Sequence, residues 1–156
     1  MPLEIERKYL VDHKKWNALD KPAGKFYRQG YLSTDENKTV RIRVADSEAY
    51  LTIKGKSTGA TRQEFEYEIP LTDAQQMLDS LSESELSKTR YRVHYKGKLW
   101  EVDVFHDAND GLIVAEIELK SEDEQFELPD WVLQEVTDDA RYYNSNLTLN
   151  PFKNWK

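Results

Sequence analysis

Glu4-Ile5-Glu6-Arg7-Lys8, close to the N-terminus, decides how the rest of the chain is read. As a strand it places Glu4, Glu6 and Lys8 on one face, because successive side chains point to opposite sides. As a helix it makes Glu4 and Lys8 a favourable pair one turn apart. The strand reading sets two carboxylates beside an ammonium, a place to hold a divalent cation and an anion together. The choice rests on whether later segments alternate in the same way.

They do. Residues 39–44 set Val40, Ile42 and Val44 against Arg41 and Arg43. Residues 50–56 set Leu51 and Ile53 against Thr52, Lys54 and Lys56, and 62–69 set Phe65, Tyr67 and Ile69 against Glu64, Glu66 and Glu68. In 87–95, Lys88, Arg90, Arg92 and His94 alternate with Thr89, Tyr91, Val93 and Tyr95. Residues 99–105 set Glu101 and Asp103 against Trp100, Val102 and Val104, and 112–120 set Val114, Glu116, Glu118 and Lys120 against Ile113, Ala115, Ile117 and Leu119. Such period-two alternation is the signature of a strand with two unlike faces. With 3–11 and 26–33, where Gly30 suggests a bulge, eight strands are expected.

Short helices fill the gaps. Asp12 caps one carrying Trp16 and Leu19, and Thr72 with Gln75 forms a capping box for a stripe of Ala74, Met77, Leu78 and Leu81. Ser121 with Glu124 reads as another box, Leu128-Pro129-Asp130-Trp131 as the start of a further helical turn, and Thr137-Asp138-Asp139 as the start of a last helix around 140–143. Residues 144–154 receive no assignment. The class is therefore mainly β (α+β), in one domain spanning 1–156.

Composition narrows the function. The 156 residues carry 22 Lys+Arg against 29 Asp+Glu, a formal net charge of −7. That balance speaks against general nucleic-acid binding, which relies on a basic surface. No apolar run approaches the roughly 20 residues that span a bilayer, and no apolar leader is evident at the N-terminus. Cysteine is absent, which removes disulfides, thiolate nucleophiles and cysteine zinc sites together. A cytoplasmic protein that does not engage membranes is expected, and the sequence leaves a homodimer open.

The polar faces are sorted by sign. Arg41/Arg43, Lys54/Lys56 and Lys88/Arg90/Arg92 fall on some strands, Glu64/Glu66, Glu101/Asp103 and Glu116/Glu118 on others. Either these faces meet bulk water as ladders of weak ion pairs, or they line a closed eight-stranded antiparallel barrel, which has room for one small ligand. Inside a barrel the charges would be costly unless paired or bound to ligand and metal. A linear triphosphate carries about four to five negative charges. Arg grips its oxygens with a planar fork and Lys serves as a point charge, while carboxylates bind Mg²⁺ or Mn²⁺, which bridges to phosphate.

Other chemistries lack their residues. Gly55-Lys56-Ser57-Thr58 resembles the end of a phosphate-binding P-loop, but Tyr50 stands where that motif needs glycine. His13, His94 and His106 are isolated, and no Gly-x-Ser-x-Gly elbow occurs.

Glu4-Ile5-Glu6-Arg7-Lys8 resembles the E-x-E-x-K signature of the CYTH superfamily, the triphosphate tunnel metalloenzymes. The likeness continues through Arg28-Gln29-Gly30-Tyr31-Leu32, Val40-Arg41-Ile42-Arg43, Leu51-Thr52-Ile53-Lys54 and Arg62-Gln63-Glu64-Phe65-Glu66. Lys88-Thr89-Arg90-Tyr91, Glu101-Val102-Asp103-Val104-Phe105, Ala115-Glu116-Ile117-Glu118-Leu119 and Glu135-Val136-Thr137 with Arg141-Tyr142 complete it. The resemblance implies a charged tunnel barrel that hydrolyses triphosphates with a divalent metal, most like the compact bacterial inorganic triphosphatases; class IV adenylate cyclases and thiamine triphosphatases share the superfamily. It implies metal ligands at Glu4, Glu6, Asp103, Glu116 and Glu118. Phosphate would be held by Lys8, Arg41, Arg43, Lys54, Lys88 and Arg90, with Arg141 reaching the mouth from the last helix. Lys88, Lys8, Glu64 and Glu66 are the implied catalytic candidates, and Tyr31 is implied as a restraint on Lys8.

Overall fold

The computed structural model describes residues 3–155. In chain order its elements are β1 (Leu3–Val11), α1 (His13–Ala18), β2 (Lys25–Ser33), β3 (Lys38–Ala45), β4 (Glu48–Gly55), β5 (Thr61–Glu68), α2 (Leu71–Ser80), β6 (Ser84–Tyr95), β7 (Lys98–Phe105), β8 (Ile113–Glu118), β9 (Val132–Glu135) and α3 (Asn144–Leu149). The strands are hydrogen-bonded in the order β5-β4-β3-β2-β6-β7-β8-β1, and β5 also pairs with β1, which closes an eight-stranded barrel. Every pairing is antiparallel. The closing seam is short: Leu3↔Gln63, Glu4↔Arg62 and Ile5↔Thr61.

The expected alternation holds because the strands turn their apolar faces to the outside of the barrel wall, where most are covered, although Tyr67 of β5 and Phe26 of β2 stay exposed. Tyr9, Trp100, Val102, Ala115 and Ile117 pack under Trp16 of α1 and Trp131. Ile42 and Ala49 pack under Ala74 and Leu78 of α2. Gly30 sits beneath this helix, where a β-carbon would meet Leu78 at 2.7 Å. Close approach rather than a bulge explains it. The register shift between β2 and β3 lies further on, between Tyr31 and Ser33.

Several helical expectations are corrected. Residues 121–124 form a turn, because Glu124 accepts from the Lys120 backbone N–H at 2.6 Å and pairs with Lys98 instead of capping a helix. Residues 128–131 turn the chain into β9, with Val132 N–H donating to the Pro129 carbonyl at 3.1 Å. This ninth strand adds to β1 beside the barrel. Thr72 and Gln75 lie inside α2, which follows Pro70 and has no side-chain cap. Residues 140–142 form a single 3₁₀ turn capped by Asp139, not Thr137; Thr137 instead accepts from the Lys8 backbone N–H at 3.0 Å.

The unassigned tail has a structural task. Leu147 of α3 is fully buried against Leu86, Phe105 and Val114, with Leu10 alongside. Leu10, Leu86, Phe105 and Val114 continue the charged faces of β1, β6, β7 and β8 by two-residue steps. The barrel interior thus turns from charged to apolar along its axis, and α3 packs against the apolar end.

Candidate functional site

Above α3 the barrel encloses a cavity of about 200 Å³. Twelve of the residues expected to serve the site line it: Glu4, Glu6 and Lys8 from β1, Arg41 and Arg43 from β3, Lys54 from β4, Glu64 and Glu66 from β5, Lys88 and Arg90 from β6, and Glu116 and Glu118 from β8. Strand order sorts them in space. Neighbouring strands β4, β3, β2 and β6 carry Lys54, Arg41, Arg43, Lys88 and Arg90, and the remaining neighbours β7, β8, β1 and β5 carry Glu101, Glu116, Glu118, Glu4, Glu6, Glu64 and Glu66. One half of the circumference is cationic, the other carboxylate. Lys8 and Arg62 are the cations set within the acidic half.

Ion pairs tie the halves together where they meet. Lys54 Nζ lies 3.1 Å from Glu4 Oε1 and 3.4 Å from Glu64 Oε2. Burial works against ionising Glu4, but Lys54 and Arg62 outweigh it and hold its carboxyl below the ordinary range. Glu66 accepts from Thr52 Oγ1 at 2.9 Å and from Arg41 Nη2 at 3.5 Å, which aims Arg41. Glu116 lies 4.0 Å from Lys8 and 3.7 Å from Arg90; burial is offset by these cations, and its carboxyl falls to about 2. Arg43 stacks over Tyr27 and Tyr50, 5.0 and 5.7 Å from their centroids. Burial and the neighbouring Arg41 and Arg90 lower its affinity for its proton by more than Glu66, 3.8 Å away, raises it.

Part of the acidic half lacks such partners. Glu6 and Glu118 stand directly opposite in the β1–β8 register, and Glu101 and Glu116 do so in the β7–β8 register. Like charges so placed repel. Neither Glu6 nor Glu118 has a carboxylate hydrogen bond or ion pair among the described residues. Burial, then repulsion from Glu116 and Glu4, pushes Glu6 up to about 8. Burial, then Glu4, pushes Glu64 up to about 7, and burial with Glu4 and Glu101 raises Glu118. Among the described residues no three acidic or histidine side chains already form a cage for an ion. The donor set nonetheless suits a hard divalent cation held by one or two carboxylates plus ligand oxygens, as Mg²⁺ commonly is. Glu6 and Glu118 would hold it, with Glu116 and Glu4 adjacent.

Two expected site residues are not brought to the cavity. Asp103 faces inward between Glu101 and Phe105 but is fully buried beneath the cavity, where Lys88 Nζ donates to Oδ2 at 2.8 Å and Arg90 donates to Oδ1 and Oδ2 at 2.8 and 2.9 Å. Its oxygens are taken, so it anchors cations instead of presenting itself as a metal ligand. Arg141 is 59% exposed and forks onto Asp139; its guanidinium lies 5.1 Å from the Trp155 ring, outside the cavity. The Tyr31 hydroxyl accepts from Gln29 at 3.4 Å, and Lys8 sits instead over the Tyr143 ring at 5.5 Å.

Other lining residues carried no expectation. Arg62 faces its register partner Glu4, with Nε 3.5 Å from Oε1, and shares the parity of Glu64 and Glu66, a signal present in the sequence. Tyr143, Asn144 and Ser145 enter from the start of α3, and no local pattern announces them.

A closed antiparallel barrel whose interior is lined by a cationic and an acidic half defines the tunnel-barrel class. The chain belongs to the CYTH family, whose domain model matches residues 2–146. It is 48% identical to the inorganic triphosphatase of Acetivibrio thermocellus, covering 100% of this chain and 99% of that one. It is 36% identical to the inorganic triphosphatase of Nitrosomonas europaea over 94% and 97% of the two chains. A crystal structure of an inorganic triphosphatase superposes with a TM-score of 0.67 at 34% identity, covering 94% of this chain and 97% of that one.

Proposed function

We propose that the protein hydrolyses inorganic triphosphate (tripolyphosphate) to pyrophosphate and phosphate inside the barrel, with Mg²⁺ or Mn²⁺ bound on the acidic half. The division of the cavity into a cationic and a carboxylate half supports this above all. A polyanion alone would call for cations; an acidic half facing it gains from a cation between them. The names borne by the relatives of similar length agree with it.

In this reading Arg41, Arg43, Lys54 and Arg90 hold the phosphate chain, with Lys8 and Arg62 meeting it from the other side. A bound divalent cation supplies electrostatic stabilisation of charge developing on the phosphoryl oxygens. The fixed guanidinium and ammonium groups do the same without reorganising. Water oxygen bonds to a terminal phosphorus, the bridging P–O bond breaks with its electron pair on pyrophosphate, and a proton passes from the water to Lys88 Nζ. Burial, only partly offset by Asp103, pulls the Lys88 amine down to about 7, which suits a proton acceptor near neutral pH. Glu66 orients Arg41, and Glu64 restrains Lys54.

The cations are enclosed in a cavity of about 200 Å³, a size for a small triphosphate and not a nucleic-acid duplex. Among the described residues no helix is long and apolar enough to cross a membrane, and we place the protein in the cytoplasm. The test is a panel of tripolyphosphate, ATP, thiamine triphosphate and pyrophosphate with Mg²⁺ or Mn²⁺. Phosphate and pyrophosphate from tripolyphosphate are expected. Cyclic AMP with pyrophosphate from ATP would indicate a cyclase, and tight tripolyphosphate binding without phosphate release a binding module; either overturns the proposal.

A further inference from the structure

Asn144, the first residue of α3, brings a polar group of the C-terminal segment to Lys88. Its carboxamide oxygen accepts from Lys88 Nζ at 3.0 Å and from Gln29 Nε2 at 3.1 Å. Gln29 is wholly buried, and its own Oε1 has no hydrogen-bond partner among the described residues. A buried carbonyl left without a donor is costly. Turning the Gln29 amide over would set its oxygen against the Asn144 oxygen, which the Lys88 amino group already claims. The orphaned Oε1 is the consequence of keeping both donors on Asn144.

Lys88 has two protein anchors, Asp103 Oδ2 at 2.8 Å and Asn144 Oδ1. Asp103 alone would leave the end of a flexible side chain free to pivot, and Arg90 competes for the same Oδ2 at 2.9 Å. A second anchor on a different element fixes the direction of Nζ, and with two N–H groups spent on these anchors the lone pair of the neutral amine is left for the cavity that Lys88 lines. We propose that Asn144 is a positioning residue for Lys88, oriented in turn by Gln29, a role that rests on the hydrolytic reading above. The reactive amine is thereby aimed by the plug of the barrel as well as by its wall.

Asn144→Leu keeps the volume and removes the acceptor. It is expected to lower kcat by roughly 10- to 100-fold, the scale of a misplacement of about 1 Å, with little change in Tm. Gln29→Leu does not touch the cavity, so its smaller fall in kcat must pass through Asn144. In a Lys88→Met background Asn144→Leu should add nothing, because contacting residues that act as one unit are non-additive. An equal factor in both backgrounds, or loss of Tm with kcat per folded molecule unchanged, marks a structural role and overturns the proposal. A crystal structure of Asn144→Leu gives a readout apart from turnover. Several Lys88 positions are expected, and one unchanged position refutes the positioning role. Absence of phosphate release by the wild type would refute the hydrolytic reading while leaving that crystallographic outcome to be read.

Discussion

Lys88 of β6 reaches diagonally to Asp103 on the neighbouring β7. The register partner of Asp103 is Arg90, yet Lys88 Nζ lies 2.8 Å from Asp103 Oδ2, and both residues are almost wholly removed from solvent. Asp103 is shared between two cations; burial raises its pKa, but Arg90 and Lys88 outweigh it and hold its carboxyl below the ordinary range.

Removing that charge takes from the buried Lys88 its ion-pair partner among the described residues and leaves Arg90 with the more distant Glu101 and Glu116, at 3.5 and 3.7 Å. Asp103→Asn is expected to cost about 3–5 kcal/mol, the scale of breaking a buried pair by removing one partner. Chemical denaturation of the purified variant measures it. A loss within experimental error would show that water reaches Lys88 and Arg90.

Arg43→Ala should abolish most turnover while leaving the fold intact, because Arg43 faces the cavity with Glu66 3.8 Å away as its ion-pair partner. Arg62→Ala is expected to raise the tripolyphosphate KM. Arg141→Ala should leave both constants unchanged. Steady-state kinetics of the three variants separates cavity cations from a surface one; equal effects would defeat the assignment.

In the metal-free protein Glu6 titrates near 8 and Glu64 near 7, raised first by burial and then by neighbouring carboxylates. A carboxyl raised in the folded state contributes stability below its unfolded pKa and loses it as pH rises through the folded value. Stability should therefore fall from about pH 5 to pH 7. Lys88, depressed to about 7, acts in the opposite direction only above that pH. Glu6→Gln should flatten the fall in denaturation curves taken with chelator. A slope unchanged by the substitution would contradict this account.

Leu147→Ala opens a void where α3 meets the apolar end of the barrel. A loss of about 2–5 kcal/mol is expected, read by thermal or urea unfolding. A change well under 1 kcal/mol would mean that the helix end collapses to fill the space.

Strand faces were legible because period two is local: Arg41/Arg43 and Glu116/Glu118 declare their side without knowledge of any neighbour. Depth along a strand is not local. Glu101 and Asp103 share a face, yet Glu101 lines the cavity and Asp103 lies beyond the reach of solvent. Circular order was hidden for the same reason, since nothing near Lys54 or Glu64 says which strands meet around a barrel. β9 was obscured by Pro129-Asp130-Trp131, whose turn resembles a helix start. α3 offers few apolar residues, and Leu147 acquires its role only from Leu86, Phe105 and Val114.

The three-residue seam between β1 and β5 bears on how the protein folds. β1 must find β5, β8 and β9, all distant in sequence, whereas the hairpins β3–β4, β4–β5 and β6–β7 form between adjacent segments. Loop-closure entropy delays such long-range pairing. β1, which precedes every strand it pairs with, is then among the last to dock, and Glu4, Glu6 and Lys8 arrive with it. An open sheet lacking β1 is without Glu4, Glu6 and Lys8 and leaves the carboxylates of β5 and β8 unjoined, so a ligand that needs both halves stabilises only the finished barrel and acts as a brake on its unzipping.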